Sequence, residues 1–204
     1  ETQVAMPGYY SVKLADMNID VELTVTERTA MHKYTFNQPG EANLLLDLQN
    51  GLVFNSKNIR YRVLEGEVEM LDNKTIAGYN RVRGWVARYF YYMIVFDRPY
   101  TVKKELPQEE GEKAKRFILE FDLKEGESVQ VKVALSTVGI EGAKMALDKE
   151  NPGWNFESIK AETNGKWNDM LSLVEVEGTE EEKMNFYTSM YHFFIQPTNI
   201  ADID

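Results

Sequence analysis

The chain contains no cysteine. Disulfides, thiolate metal sites and cysteine nucleophiles are thereby excluded. Histidine is scarce as well. His32 and His192 are the only two, neither sits in an HExxH pattern, and each reads as a packed or surface residue rather than a ligand or base. Basic residues are outnumbered, with 23 Lys and Arg against 33 Asp and Glu and a formal net charge of −10. No basic stripe offsets that field, so nucleic acid is not an expected partner. The longest nearly apolar run, Tyr89 to Phe96, is too short to span a bilayer, and no basic region followed by an apolar one opens the chain. No membrane-spanning segment is expected. There is no glycine-rich phosphate loop, G-x-S-x-G elbow or EF-hand spacing, which removes the nucleotide, serine-hydrolase and helix-loop-helix calcium classes.

What is present has the balance of an ordinary globular protein: 204 residues, 43% apolar and 27% charged, enough to bury a sizeable core. Ile19, Val21, Leu23 and Val25 alternate with Asp20, Glu22, Thr24 and Thr26, the period of a half-buried strand. Glu27-Arg28-Thr29 turns the chain. Met31 to Phe36 is the expected antiparallel partner, stopped by Asn37-Gln38-Pro39-Gly40. Further strands are predicted over Leu44 to Leu48, Ile59 to Leu64, Val68 to Leu71, Lys74 to Val82, Tyr89 to Phe96, Phe117 to Leu123 and Val129 to Thr137. Nine or ten short strands without intervening helices argue a mainly β fold, a two-layer antiparallel β-sandwich. Gln108 to Lys115, charged and poor in apolar residues, reads as a solvated hairpin loop.

After Gly139 the period changes. Glu141 to Lys149 reads as a short helix broken by Asn151-Pro152-Gly153, and Phe156, Ile159, Thr163, Trp167, Met170 and Leu171 recur at helical spacing. Gly165 weakens the middle of that second helix, where a bend or fray is expected. Thr179 and Glu182 fit a capping box for a third, whose apolar face is Phe186, Tyr187, Met190, Tyr191, Phe194 and Ile195 and whose end is Pro197. The expected organisation is a sandwich over residues 1–139, a helical linker over 140–178, and over 179–204 the opening of a further helical domain. The wide apolar helix faces, and a chain that opens on Glu1, read as an excised segment.

Candidate sites are few. Carboxylates are abundant, but Glu180 to Glu182 are explained by capping, and no general acid stands out. Trp85, Tyr89, Phe90, Tyr91 and Tyr92 cluster, and flat rings suit sugar faces. In a strand Tyr89 and Tyr91 face one side and Phe90 and Tyr92 the other, so at least one set is core.

Pro7-Gly8-Tyr9-Tyr10-Ser11-Val12, Val21 to Arg28 and His32-Lys33-Tyr34-Thr35-Phe36 resemble the N-terminal sandwich of glycoside hydrolase family 92, the exo-acting α-mannosidases. Gly84-Trp85 with Tyr89-Phe90 is similar to that family's central strands, and Val131 to Ser136, Ala143, Trp167 and Leu171 to its linker. Phe186 to His192, Pro197 and Asp202-Ile203-Asp204 resemble the opening of its catalytic barrel. Gly139, Ala146-Leu147 and Phe193 to Gln196 depart from common family residues, a departure that bears on subsite shape and linkage preference.

The resemblance implies a parent enzyme that removes terminal α-linked mannose with inversion, depends on calcium, and often cuts α-1,2 linkages. Its acid, base and calcium ligands are then expected beyond Asp204. No catalytic or metal-binding residue and no bound calcium are expected in this segment, which is expected to be inactive alone and to meet mannose-containing glycan through the catalytic domain. By resemblance, Asp204, and less directly Asp202, is the candidate for hydrogen bonding sugar hydroxyls; both also fit a loop start where aspartates satisfy backbone N–H groups. The alternative is a free-standing carbohydrate-binding sandwich with Trp85 as its sugar platform. A bacterial periplasmic or extracellular location is implied by the resemblance alone.

Overall fold

The structure, a computed structural model, describes residues 2–49, 63–83, 86–196 and 201–202. Eleven strands are present among these: β1 (Gln3–Met6), β2 (Tyr9–Leu14), β3 (Ile19–Val25), β4 (Thr29–Phe36), β5 (Ala42–Asp47), β6 (Val63–Met70), β7 (Thr75–Arg83), β8 (Ala87–Phe96), β9 (Thr101–Glu105), β10 (Arg116–Phe121) and β11 (Ser128–Ser136). Three helices follow: α1 (Ile140–Glu150), α2 (Phe156–Leu171) and α3 (Glu180–Phe194). One sheet runs β1-β2-β3-β4-β11-β8-β7-β6 and the other β5-β10-β9, every pairing antiparallel. The expected two-layer sandwich is the fold observed.

The layers meet over Phe36, Ile76, Tyr92, Ile94, Phe96, Phe117, Leu119, Phe121, Val129 and Val131. The large sheet is also covered on part of its other face. Ala77, Met93 and Ala134 lie under Ala143, Ala146 and Leu147 of α1, where small side chains on both elements let helix and strand approach closely. Met31 lies under Phe156 and Ile159 of α2. This explains the near-continuous apolar run in β8: Tyr92, Met93 and Ile94 are all buried, because two faces need apolar cover there rather than one.

Several element limits differ from the sequence reading. Val63–Met70 is one strand where two were expected, the run through Glu65, Gly66 and Glu67 being carried by cross-strand pairing with β7; residues 59–62 lie outside the described residues. β9, with every residue exposed, has no apolar alternation to announce it. The segment before Arg116 is a loop as expected, yet it is anchored. Glu112 is buried and ion-paired to Arg116 at 2.7 Å, and Gln49 Oε1 accepts from the Lys113 and Ala114 amides at 2.9 Å each.

The helices are tied down at their ends. Lys132, buried in β11, donates to the carbonyl of Asn151, the C-cap of α1, at 2.7 Å, with its ammonium 4.3 Å from the Trp154 ring centre. Asn155 caps α2 by accepting from the Ser158 amide, and α2 continues through Gly165 without a break. Thr163 of α2 donates to the Val25 carbonyl and presses on Gly8, whose φ of 76° and lack of a Cβ are both required beneath that side chain. The predicted capping box of α3 is formed, with Thr179 and Glu182 satisfying each other's backbone N–H. Trp167 meets Tyr191 of α3 at 4.8 Å between ring centres, but no residue of α3 is buried. Its most exposed apolar residues, Met184 and Phe193, lie off the face read from the sequence. Pro197 falls outside the described residues. No helix among the described residues is long and apolar enough to cross a membrane.

Candidate functional site

Around Asp202 the β3–β4 turn, the end of β11 and the segment 201–202 enclose a cavity of about 470 Å³. The turn forms because Thr26 and Thr29 close it. The Thr26 amide donates to the Thr29 carbonyl at 2.8 Å, and the Thr29 amide returns to the Thr26 hydroxyl at 3.1 Å. Glu150, the last residue of α1, then docks on the turn. Its Oε2 accepts from Thr26 Oγ1 at 2.6 Å and from the Arg28 amide at 2.9 Å, and its Oε1 accepts from Arg28 Nη1 at 2.9 Å. Burial works to raise the Glu150 carboxyl, but the hydrogen bonds from Thr26 and Arg28 outweigh it and hold the group below the usual carboxylate range. Hydrogen bonding to Glu150 in turn pushes the Arg28 guanidinium up.

The same guanidinium reaches the far segment, its Nε donating to the Ala201 carbonyl at 2.9 Å. Ser136 holds the adjacent residue, donating to Asp202 Oδ2 at 2.5 Å while its oxygen accepts from the amides of Val138 and Gly139. Gly139, the N-cap of α1, has no side chain to cap with, and Ser136 takes up its amide and the one before it from the strand that leads into the helix. Gly142, in the first turn of α1, has to be glycine for the approach to occur: a Cβ there would collide with Asp202 Oδ2 and Ser136 Oγ. The wall opposite is apolar and accessible, with Phe90, Leu135 and Val25 all exposed. An apolar wall facing a carboxylate suits a polyhydroxylated ring, which carries both C–H faces and hydroxyl donors.

The other candidates are placed elsewhere. Trp85 and Asp204 lie outside the described residues. Among Trp85's neighbours the expected alternation is observed. Tyr92 is core, donating to the Glu67 carbonyl at 2.9 Å, and Phe90 lines the Asp202 cavity. Tyr89 and Tyr91 project from the opposite face, with ring planes 20° apart and Tyr79 beside both. Glu65 accepts from Tyr79 at 2.8 Å and from Tyr89 at 3.4 Å, and the bond to Glu65 is the main cause of the Tyr79 hydroxyl being pushed up to about 12. His32 is paired with the Tyr34 hydroxyl at 2.9 Å, and burial lowers its pKa, the position of a structural imidazole. His192 lines a separate hollow with Met6, Pro7 and Tyr187. Calcium takes six to eight oxygen ligands, and no group of three or more carboxylate or imidazole side chains able to hold a metal forms among the described residues. The residues described therefore do not fit a calcium site.

Arg28, Ser136 and Glu150 were not singled out by sequence reasoning. Arg28 and Glu150 are 122 positions apart, and neither lies in a motif whose spacing announces the contact. The one local signal was the polar turn Glu27-Arg28-Thr29 in an otherwise alternating hairpin.

A family model described as the glycosyl hydrolase family 92 N-terminal domain matches residues 1–136, and one described as the family 92 catalytic domain matches residues 142–204. Among solved structures, a family GH92 alpha-mannosidase from Bacteroides thetaiotaomicron is 26% identical over the whole of this chain, with a TM-score of 0.86. A structure of that mannosidase in complex with mannoimidazole gives 24% identity and a TM-score of 0.83. A family GH92 inverting mannosidase from the same organism is 21% identical with a TM-score of 0.84, a likeness of fold. This chain spans 28%, 30% and 27% of those three structures, respectively. Comparison with curated proteins finds no match. Two family models in succession along the sequence, with the sandwich and helices that the likeness requires, lead to one assignment: the chain belongs to glycosyl hydrolase family 92.

Proposed function

We propose that this chain is the non-catalytic sandwich and linker portion of an exo-acting α-mannosidase, with residues 1–139 the sandwich, 140–178 the linker and 179–204 the start of the (α/α)6 catalytic domain. The proposed reaction is calcium-dependent, inverting hydrolysis of terminal α-1,2-linked mannose in glycans, by an enzyme exported to the periplasm or beyond. The observation that carries this reading is the cavity in which a sandwich turn, the end of β11 and Asp202 meet. The sandwich thereby buttresses the segment that precedes Asp204, and Asp202 and Asp204 offer acceptors to sugar hydroxyls.

Inversion needs a carboxylic acid to protonate the leaving oxygen and a carboxylate to activate water on the opposite ring face, the two about 6.5–9.5 Å apart. In this proposal both groups, and the calcium, belong to the larger part of the relatives' length that this chain does not span, and the chain by itself is inactive. The test is proton NMR of α-1,2-mannobiose hydrolysis by the full-length protein. β-Mannose appearing first, with release stopped by a chelator, supports the reading. α-Mannose first, or chelator-insensitive release, contradicts the corresponding part of it.

A second reading, a free-standing carbohydrate-binding sandwich, is favoured by the Tyr79, Tyr89 and Tyr91 rings gathered around Glu65, of which Tyr89 is exposed. This reading takes Trp85 as the sugar platform, so mannose titration would change tryptophan fluorescence. An unchanged signal counts against it.

A further inference from the structure

Two clamps converge on the Asp202 cavity, and each joins the same three parts of the chain. Arg28 belongs to the sandwich turn, pairs with Glu150 at the end of α1, and donates to the Ala201 carbonyl. Ser136 belongs to the last strand, accepts from the amides that lead into α1, and donates to Asp202. The first clamp fixes a backbone carbonyl and the second fixes one carboxylate oxygen of the next residue. Together they set both the position of the segment and the rotation of the Asp202 side chain. Asp202, so held at Oδ2, lines the cavity.

We infer that Arg28 and Ser136 are positioning residues for the sugar subsite: one locks the Ala201 backbone to the sandwich and linker, the other aims the Asp202 carboxylate. The inference deepens the mannosidase reading and rests on it for the identity of the ligand, a mannopyranose hydroxyl. Neither residue touches the sugar. Their effect passes through Asp202.

The side-chain types fit that task. A guanidinium presents Nε and the Nη atoms in a rigid fork, so one side chain can bind Ala201 O and Glu150 in fixed directions at once. Lysine carries a single nitrogen and keeps only one of those two contacts with good geometry. Serine's hydroxyl is short and can act as donor to Asp202 while accepting from two amides. Its neighbour across the contact, Gly142, leaves the room for the carboxylate.

The test uses the full-length protein and α-1,2-mannobiose, with R28K and S136A compared with wild type. R28K retains the charge and an ion pair to Glu150, so it removes the latch on Ala201 selectively. A hydrogen bond to a non-reacting hydroxyl holds ground state and transition state alike, so its misplacement raises KM and leaves kcat nearly unchanged. The expected result is a KM raised about tenfold in each variant with kcat within about threefold. An unchanged KM in both overturns the inference, as does a fall in kcat that tracks a lowered melting temperature, which is the pattern of a merely structural role. If R28K fails to fold, S136A carries the test, because it removes one hydroxyl. If wild type releases no mannose, the mannosidase reading has failed, and hydrogen exchange decides the clamp by itself: the peptide carrying Ala201 and Asp202 exchanges about tenfold faster in R28K if the latch exists, and unchanged exchange overturns it.

Discussion

Arg28 and Glu150 form an ion pair at 2.9 Å across 122 positions of sequence, joining a hairpin turn of the sandwich to the last residue of α1. Both side chains are largely withdrawn from water, at 18% and 13% exposure. Removing one partner leaves the other without its counter-charge, a larger penalty than losing a surface pair. E150A is expected to lower stability by about 2–3 kcal/mol, measured as a shift of the denaturant midpoint at pH 7.

The same pair makes stability depend on pH. The folded Glu150 carboxyl lies below its ordinary value, so its contribution is present above the unfolded pKa and is lost as pH falls through the folded one. Wild type and E150Q are therefore expected to differ at pH 7 and to converge as the pH is taken below the usual carboxylate range. A difference that stays constant with pH would show that charge is not what Glu150 contributes.

Gly142 and Gly165 make a contrast within two helices. Alanine favours a helix interior over glycine by about 1 kcal/mol, and nothing lies within 4 Å of a Cβ placed on Gly165. G165A is expected to raise the melting temperature. G142A drives a methyl into Asp202 and Ser136, so it is expected to lose that gain and to cost about 1–3 kcal/mol. Introducing G142A into a D202A background should restore much of the loss, a coupling read by a double-mutant cycle.

Tyr79 donates to Glu65, and that bond is the first reason its hydroxyl is pushed up to about 12. Ultraviolet titration is expected to show several tyrosines ionising late, Tyr79 together with Tyr34, Tyr92 and Tyr100, which burial pushes up, and E65Q to return one of them towards the ordinary tyrosine range. If E65Q leaves the titration curve unchanged, the Tyr79–Glu65 bond is not formed in solution.

α3 buries no residue and leans on local interactions more than the other helices do. T179A removes the capping box at its start and is expected to cost about 1 kcal/mol of local stability, seen as faster amide exchange in α3 with the sandwich amides unaffected.

Much of the fold was legible in the sequence because period-2 alternation, turn residues and the Thr179/Glu182 pair are local signals. β3, β4, β7 and all three helices follow them closely. β9 escaped because a wholly exposed strand alternates nothing, and β6 was divided because Glu65, Gly66 and Glu67 look like a turn until β7 pairs with them. The site was less legible. Asp202 could be named from family resemblance, but its partners Ser136 and Arg28 are ordinary residues whose meaning comes only from the sheet that brings β4 beside β11 and from the helix that returns Glu150 to the turn.

The central claim is that this chain shapes and supports a mannose site without supplying the chemistry. The most direct measurement is mannose release from α-1,2-mannobiose by the full-length protein and by the 204-residue chain, at equal concentration with calcium present. Release by the full-length protein and none by the chain is the predicted result. Chelator-sensitive release by the chain alone would contradict it and place an acid and a base within these residues.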